Sequence, residues 1–166
     1  MHRVVAFFAA LCPLLSAAAL ASSDEDCVEL AYMRPHAPVV EPAQARLLIG
    51  DINAARAQRG LRPLVSDEGL AGFALQVAQQ MAERHYFGHT DPDGVTFEAR
   101  LRASNIRFEF AAENMAFDQD EEHANQAFLH SPGHYANIVD PHPHRVGVAV
   151  VAAGEGEVFY VEEFAD

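Results

Sequence analysis

The stretch from Arg145 to Asp166 constrains this chain more than any other. Val146, Val148 and Val150 recur at every second position until Ala152-Ala153-Gly154-Glu155-Gly156 interrupts the run. Beyond the break, Val158, Tyr160 and Glu162 alternate against Phe159, Val161 and Glu163. A period of two is the repeat of a pleated strand. Two such runs joined by a glycine-bearing turn predict a β-hairpin.

What precedes the hairpin is mostly helical in pattern. Leu48, Ile52 and Ala55 recur at spacings of four and three from Ala43 onward, until Gly60 closes the segment as a left-handed cap. Leu61 to Leu64 reads as an extended link. A second helix is predicted from an Asp67 N-cap to about Arg84, with Gly88 as its stop and Leu70, Phe73, Ala74, Val77, Ala78 and Met81 buried. Asp91-Pro92-Asp93-Gly94 has the residue order of a type I turn. A short helix from Thr96 to Ala103 follows. Ile106, Phe108, Phe110 and Ala112 then alternate as in a half-buried strand. Asp118 with Glu121 resembles a capping box, and Ser131-Pro132 is a matched helix start. Helix, helix, short helix, strand, helix and hairpin make an α+β fold with a small antiparallel sheet. No internal repeat of about 20–50 residues is visible.

The first residues read differently. Met1-His2-Arg3 is a short positive start, Val4 to Leu20 is apolar, and Ala19-Leu20-Ala21 carries small residues at the spacing a signal peptidase reads. Residues 1–21 are therefore expected to be a cleaved secretory signal rather than a retained membrane helix. Its removal leaves Cys27 as the sole cysteine, so no internal disulfide is expected and the core must hold the domain together. Residues 22–42, with Asp24-Glu25-Asp26 and three prolines, read as an N-terminal arm before a folded domain at 43–166. The chain has 24 acidic residues against 11 basic ones, all arginine, for a net charge of -13. That balance excludes nucleic-acid binding and opposes contact with anionic membranes, and no stable membrane insertion is expected.

The candidate chemistry rests on His89, Glu113 and His134, each placed where an ordered element stops. His134 falls in the first turn of a short helix, where exposed N–H groups favour neutral imidazole, the metal-binding form. Two imidazoles and a carboxylate are suited to hold a divalent cation such as zinc with an open position, and Glu113 is suited to act as a base on water. Other candidates have plainer readings. His85 and His89 are four apart but no HExxH is present, and Asp91-x-Asp93-Gly94 is too short for a calcium loop. His142 and His144 belong to a proline-stiffened loop, and Ser131 is explained by capping.

These motifs resemble a known family. His89-Thr90-Asp91-Pro92-Asp93-Gly94, Glu113-Asn114-Met115-Ala116, Ser131-Pro132-Gly133-His134-Tyr135-Ala136-Asn137 and Phe159-Tyr160-Val161-Glu162-Glu163-Phe164 are similar to successive signatures of the CAP superfamily. This is the SCP-like domain of cysteine-rich secretory proteins, antigen 5 and class 1 pathogenesis-related proteins. The bacterial secreted branch matches best. The resemblance implies an α-β-α sandwich with its antiparallel sheet between helical layers. It also implies a cleft in which His89, His134 and Glu113 line a cation site. This chain departs from the eukaryotic pattern at several points: Phe128 stands where a tryptophan is usual, Ser131 where a second cleft glutamate is usual, and Ala112 where a glycine precedes Glu-Asn. Glu162 or Glu163 would supply a replacement carboxylate, and only one of them faces a given side of the strand.

Three functions follow as expectations. The favoured one is a secreted protein, periplasmic or extracellular, whose cleft binds a divalent metal or a small ligand without turnover. The second is a metal- or Glu113-assisted hydrolase using the same cleft. The third is a non-catalytic interaction module that meets another protein.

Overall fold

Local capping chemistry sets where most of the helices begin. The computed structural model describes residues 3–6, 28–29, 39–154 and 156–166. Helix α1 spans Pro42–Gln58, with proline in its first turn, and buries Leu48, Ile52 and Ala55. Helix α2, Glu68–Arg84, starts where the Asp67 carboxylate accepts from Leu70 N–H at 2.9 Å. Thr96 caps α3, Phe97–Ala103, and Ser131 caps α5, Pro132–Ile138. These starts follow the predicted residues.

One helix start, the residue that stops α2 and one strand differ from expectation, while the end of α2 near Arg84 is as expected. Helix α2 ends at Arg84, and His85 rather than Gly88 takes the left-handed turn at φ 54°. His85 and His89 therefore do not share a helix. Helix α4, Glu121–His130, is capped by Asp120, which accepts from His123 N–H at 2.9 Å, whereas Asp118 closes the preceding strand. That strand, β6, runs Phe110–Asp118 rather than Asn105–Ala112. Asn105 adopts φ 63°, which breaks extension, and the small residues Ala111, Ala112 and Ala116 are buried on both faces of the true strand.

The hairpin is the centre of the sheet. Strands β7, Arg145–Gly154, and β8, Glu157–Ala165, pair antiparallel, with a register shift between Ala152 and Gly154. Strand β6 pairs antiparallel with the other side of β8. Short strands complete the edges: β1, Arg3–Ala6, lies parallel to β6, while β3, Val39–Val40, and β4, Val65–Ser66, flank β7. The order is β1-β6-β8-β7-β3, with β4 also on β7. A separate two-stranded pair joins β2, Val28–Glu29, to β5, Tyr86–Phe87. Apart from residues 3–6, 28–29 and 39–42, the last of which opens α1, the expected signal and arm lie outside the described residues, as does Cys27.

Two apolar layers close on opposite faces of the sheet. One joins α2 and α3 to Ala111, Met115, Ala149, Val151, Phe159 and Val161. The other joins α1, α4 and α5 to Ala112, Ala116, Val148, Val150, Tyr160 and Phe164. Odd and even strand residues feed different layers, as the two-residue repeat requires. The result is an α-β-α sandwich.

Candidate functional site

The polar groups at the centre of this sheet are buried, which makes their partners decisive. Glu113 is fully buried on β6 and points into the layer of α2 and α3. Its Oε1 lies 2.8 Å from His89 Nδ1. Since an ionised carboxylate only accepts, Nδ1 carries the proton and donates. His89 is delivered by the tight loop after β5, which Asp91 fastens by accepting from Asp93 N–H and Val95 N–H at 2.9 and 2.8 Å. From α3, Arg100 brings Nη2 to 3.4 Å from Glu113 Oε2.

Glu163 completes this cluster. It stands directly opposite Glu113 in the β6–β8 register and is fully buried. As a carboxylate it finds no donor for either oxygen. Burial, then the Glu113 charge beside it, pushes its carboxyl well above the usual range, and Arg100 only partly offsets this. A proton held on Glu163 and donated to Glu113 supplies the missing hydrogen bond. Gly147 lies on the same row, opposite Glu163 on β7.

Asn114, the next residue along β6, leaves the strand on the other face. Its Nδ2 donates to Glu162 Oε2 at 2.9 Å and to the His134 carbonyl at 3.2 Å, while its Oδ1 accepts from Asn137 Nδ2 at 2.8 Å. The His134 ring meets the Phe128 ring edge-on, with centroids 5.3 Å apart. Glu162 is pushed up to about 8, chiefly by burial, with the Asn114 hydrogen bond opposing.

The structure thus joins His89 to Glu113 and places His134 in the opposite layer, with Asn114, Asn137 and Glu162. Of the two glutamates weighed as replacement carboxylates, Glu163 faces the His89 side and Glu162 the His134 side. As a metal cage, His89, Glu113 and His134 do not form one donor set in this arrangement. Among the described residues no group of three His, Cys, Asp or Glu side chains is arranged to hold a metal ion. Arg100 also places a positive charge against Glu113, where a cation would otherwise sit. Sequence reasoning missed Arg100, although its place on the Phe97–Leu101 face of a predicted helix was a usable signal. The pairing of Glu163 with Glu113 has no local signal, because it depends on register.

An α-β-α sandwich built on a β6-β8-β7 sheet, with Glu-Asn on β6 beside the central strand and Ser-Pro-Gly-His opening a short helix, defines a secretory-protein domain class. The model of the cysteine-rich secretory protein family, CAP, matches residues 49–164, and the chain belongs to that family. It is 33% identical over 120 residues to the uncharacterized protein YkwD of Bacillus subtilis, covering 71% of this chain and 46% of that one. The chain thus spans less than half the length of that relative. A solved extracellular protein containing an SCP domain from Bacillus anthracis is similar at TM-score 0.66 and 28% identity, covering 75% of this chain and 41% of that one. An outer surface protein of Borrelia burgdorferi, 20% identical, shares the fold at TM-score 0.73 over 80% of this chain and 98% of its own. Among the described residues no helix is long and apolar enough to cross a membrane.

Proposed function

We propose that the protein is an extracellular binding module that receives a small ligand beside His89, with neither hydrolytic turnover nor a resident metal. The observation that carries this reading is the double engagement of Glu113, with imidazole on one oxygen and guanidinium beside the other. A general base needs a lone pair within reach of a water or substrate proton. Glu113 is instead fully buried, and His89, with 9% of its side chain exposed, stands at the solvent side of the pair. The cluster also balances its own charge: Arg100 offsets Glu113, and Glu163 holds a proton. A divalent ion entering there must displace or repel Arg100. The leader-like first residues and the extracellular relative from Bacillus anthracis support the location.

Calorimetric zinc titration of the purified protein tests the reading. The expected result is no one-to-one isotherm that His89→Ala and His134→Ala each abolish. Such an isotherm would restore the joint metal cage. Hydrolysis of casein or simple esters that disappears with Glu113→Gln would establish the hydrolase instead. Ligand entry is read from the His89 ring C–H resonance, which a small molecule bound at this side shifts while the His134 resonance stays in place.

A further inference from the structure

A recess with cationic and apolar walls lies where the link after α1 meets the loop before β7. It has a volume of about 370 Å³, and its walls include Arg56, Arg62, His144, Pro63, Pro141 and Pro143. That volume is at the lower end of small-molecule sites, which run from about 300 to 1,000 Å³.

The cations here are unusual in having only neutral partners. Arg56 is buried, yet its Nε donates to the Arg62 carbonyl at 2.9 Å and its Nη1 to the Ile138 and Asp140 carbonyls at 2.8 and 2.7 Å. Arg62 Nη2 meets His144 Nε2 at 3.0 Å; a guanidinium only donates, so that nitrogen accepts and the ring is neutral. Among the described residues, the ion pairs made by arginine involve Arg84, Arg100, Arg102 and Arg145, not Arg56 or Arg62. Asp140, the acid that acts on Arg56 through space, gives its Oδ1 to the His142 backbone N–H and ring. Two guanidinium groups therefore face one concavity without a bonded carboxylate, in a chain of net charge -13. A buried charge held only by dipoles gains from a counter-ion, and guanidinium matches a carboxylate with two parallel hydrogen bonds.

We propose that this recess binds a small organic carboxylate, its acid group on Arg62 and Arg56 and its apolar body against Pro63, Pro141 and Pro143. The three proline rings are what select an organic anion over a bare inorganic one. They add no hydrogen-bond donors, since proline has no N–H, and offer rigid apolar walls.

Benzoate is the probe, followed by amide NMR shifts at Gly60, Leu61 and Val65 with ionic strength held constant by chloride. The expected result is saturable shifts with benzoate, none with the neutral isostere benzamide, and at least tenfold weaker binding of inorganic phosphate. Arg62→Gln, at an exposed position, is expected to weaken benzoate at least tenfold while the thermal unfolding curve stays in place. Benzamide matching benzoate would reduce the recess to an apolar crevice. Phosphate or chloride matching benzoate, or Arg62→Gln leaving its affinity unchanged, would equally overturn the proposal.

Discussion

Gly147→Ala is the most informative single substitution in this domain. A Cβ at residue 147 would stand 2.2 Å from both Ala71 N and Leu70 C, and 2.6 Å from Leu70 Cβ. Two of these three atoms are helix backbone, so no rotamer change removes the clash. Comfortable non-bonded separations are about 3.5–4 Å, so α2 must lift from β7 by more than about 1 Å. A gap of roughly 0.5–1 Å forfeits a quarter to a half of each dispersion contact it opens. Helix α2 contributes Leu70, Phe73, Ala74, Val77 and Met81 to that interface, so the loss is shared by many atoms. Overpacking typically costs about 1–3 kcal/mol, and the rigid partner puts this case at the top, near 3 kcal/mol. For a domain of this size each kcal/mol lowers Tm by about 2–4 °C, giving a fall of roughly 6–12 °C. Gly72→Ala is the matched control: it lies on the exposed side of the same helix, and a Cβ there meets nothing within 4 Å. It is expected to gain about 0.5–1 kcal/mol from helix propensity. Urea unfolding followed by circular dichroism measures both. A Gly147→Ala loss under about 1 kcal/mol, below the overpacking range, would refute the backbone contact between α2 and β7.

Two further substitutions test the buried charges. The Glu162 carboxyl is raised to about 8 in the folded state, so its stabilising contribution is complete below its unfolded value near 4.5 and is lost as pH rises toward 8. Holding that proton at pH 7 costs roughly 3 kcal/mol at 1.36 kcal/mol per unit. Glu162→Gln is therefore expected to flatten the decline in urea midpoint between pH 5 and pH 8, and an unchanged slope counts against a protonated Glu162. Arg100→Ala leaves Glu113 buried without its guanidinium and is expected to cost about 3–5 kcal/mol, the usual result of breaking a buried pair. Arg102→Ala, which removes the half-exposed pair with Glu98 and the guanidinium's contact with the Phe108 ring, is expected to cost about 1 kcal/mol. Equal losses in the two variants would place Arg100 outside the buried cluster.

What the sequence made legible follows how local each interaction is. Asp67, Thr96 and Ser131 mark helix starts through hydrogen bonds spanning three residues, and all three are found in the structure. The hairpin was readable because its valines repeat at the strand period. Strand β6 was displaced because alanines buried on both faces carry no alternation, while Ile106 and Phe108 alternate in a segment that Asn105 turns out of extension. His89, Glu113 and His134 are all buried, whereas their places at the ends of predicted elements suggested side chains displayed toward solvent. Their division between two layers was not legible. It depends on how Glu113 and Asn114 straddle one strand, which only the pairing with β8 fixes.

That straddling has a consequence for how such a domain tolerates change. Because neighbouring positions on β6 furnish both interiors, adding or deleting one residue upstream within the strand would trade them. An amide would enter the imidazole–guanidinium side, and an acid would arrive beside the amide of Asn137. Length variation here rewrites both chambers in a single event. Substitution alone can tune either one separately, and the surrounding loops, rather than this strand, must absorb insertions.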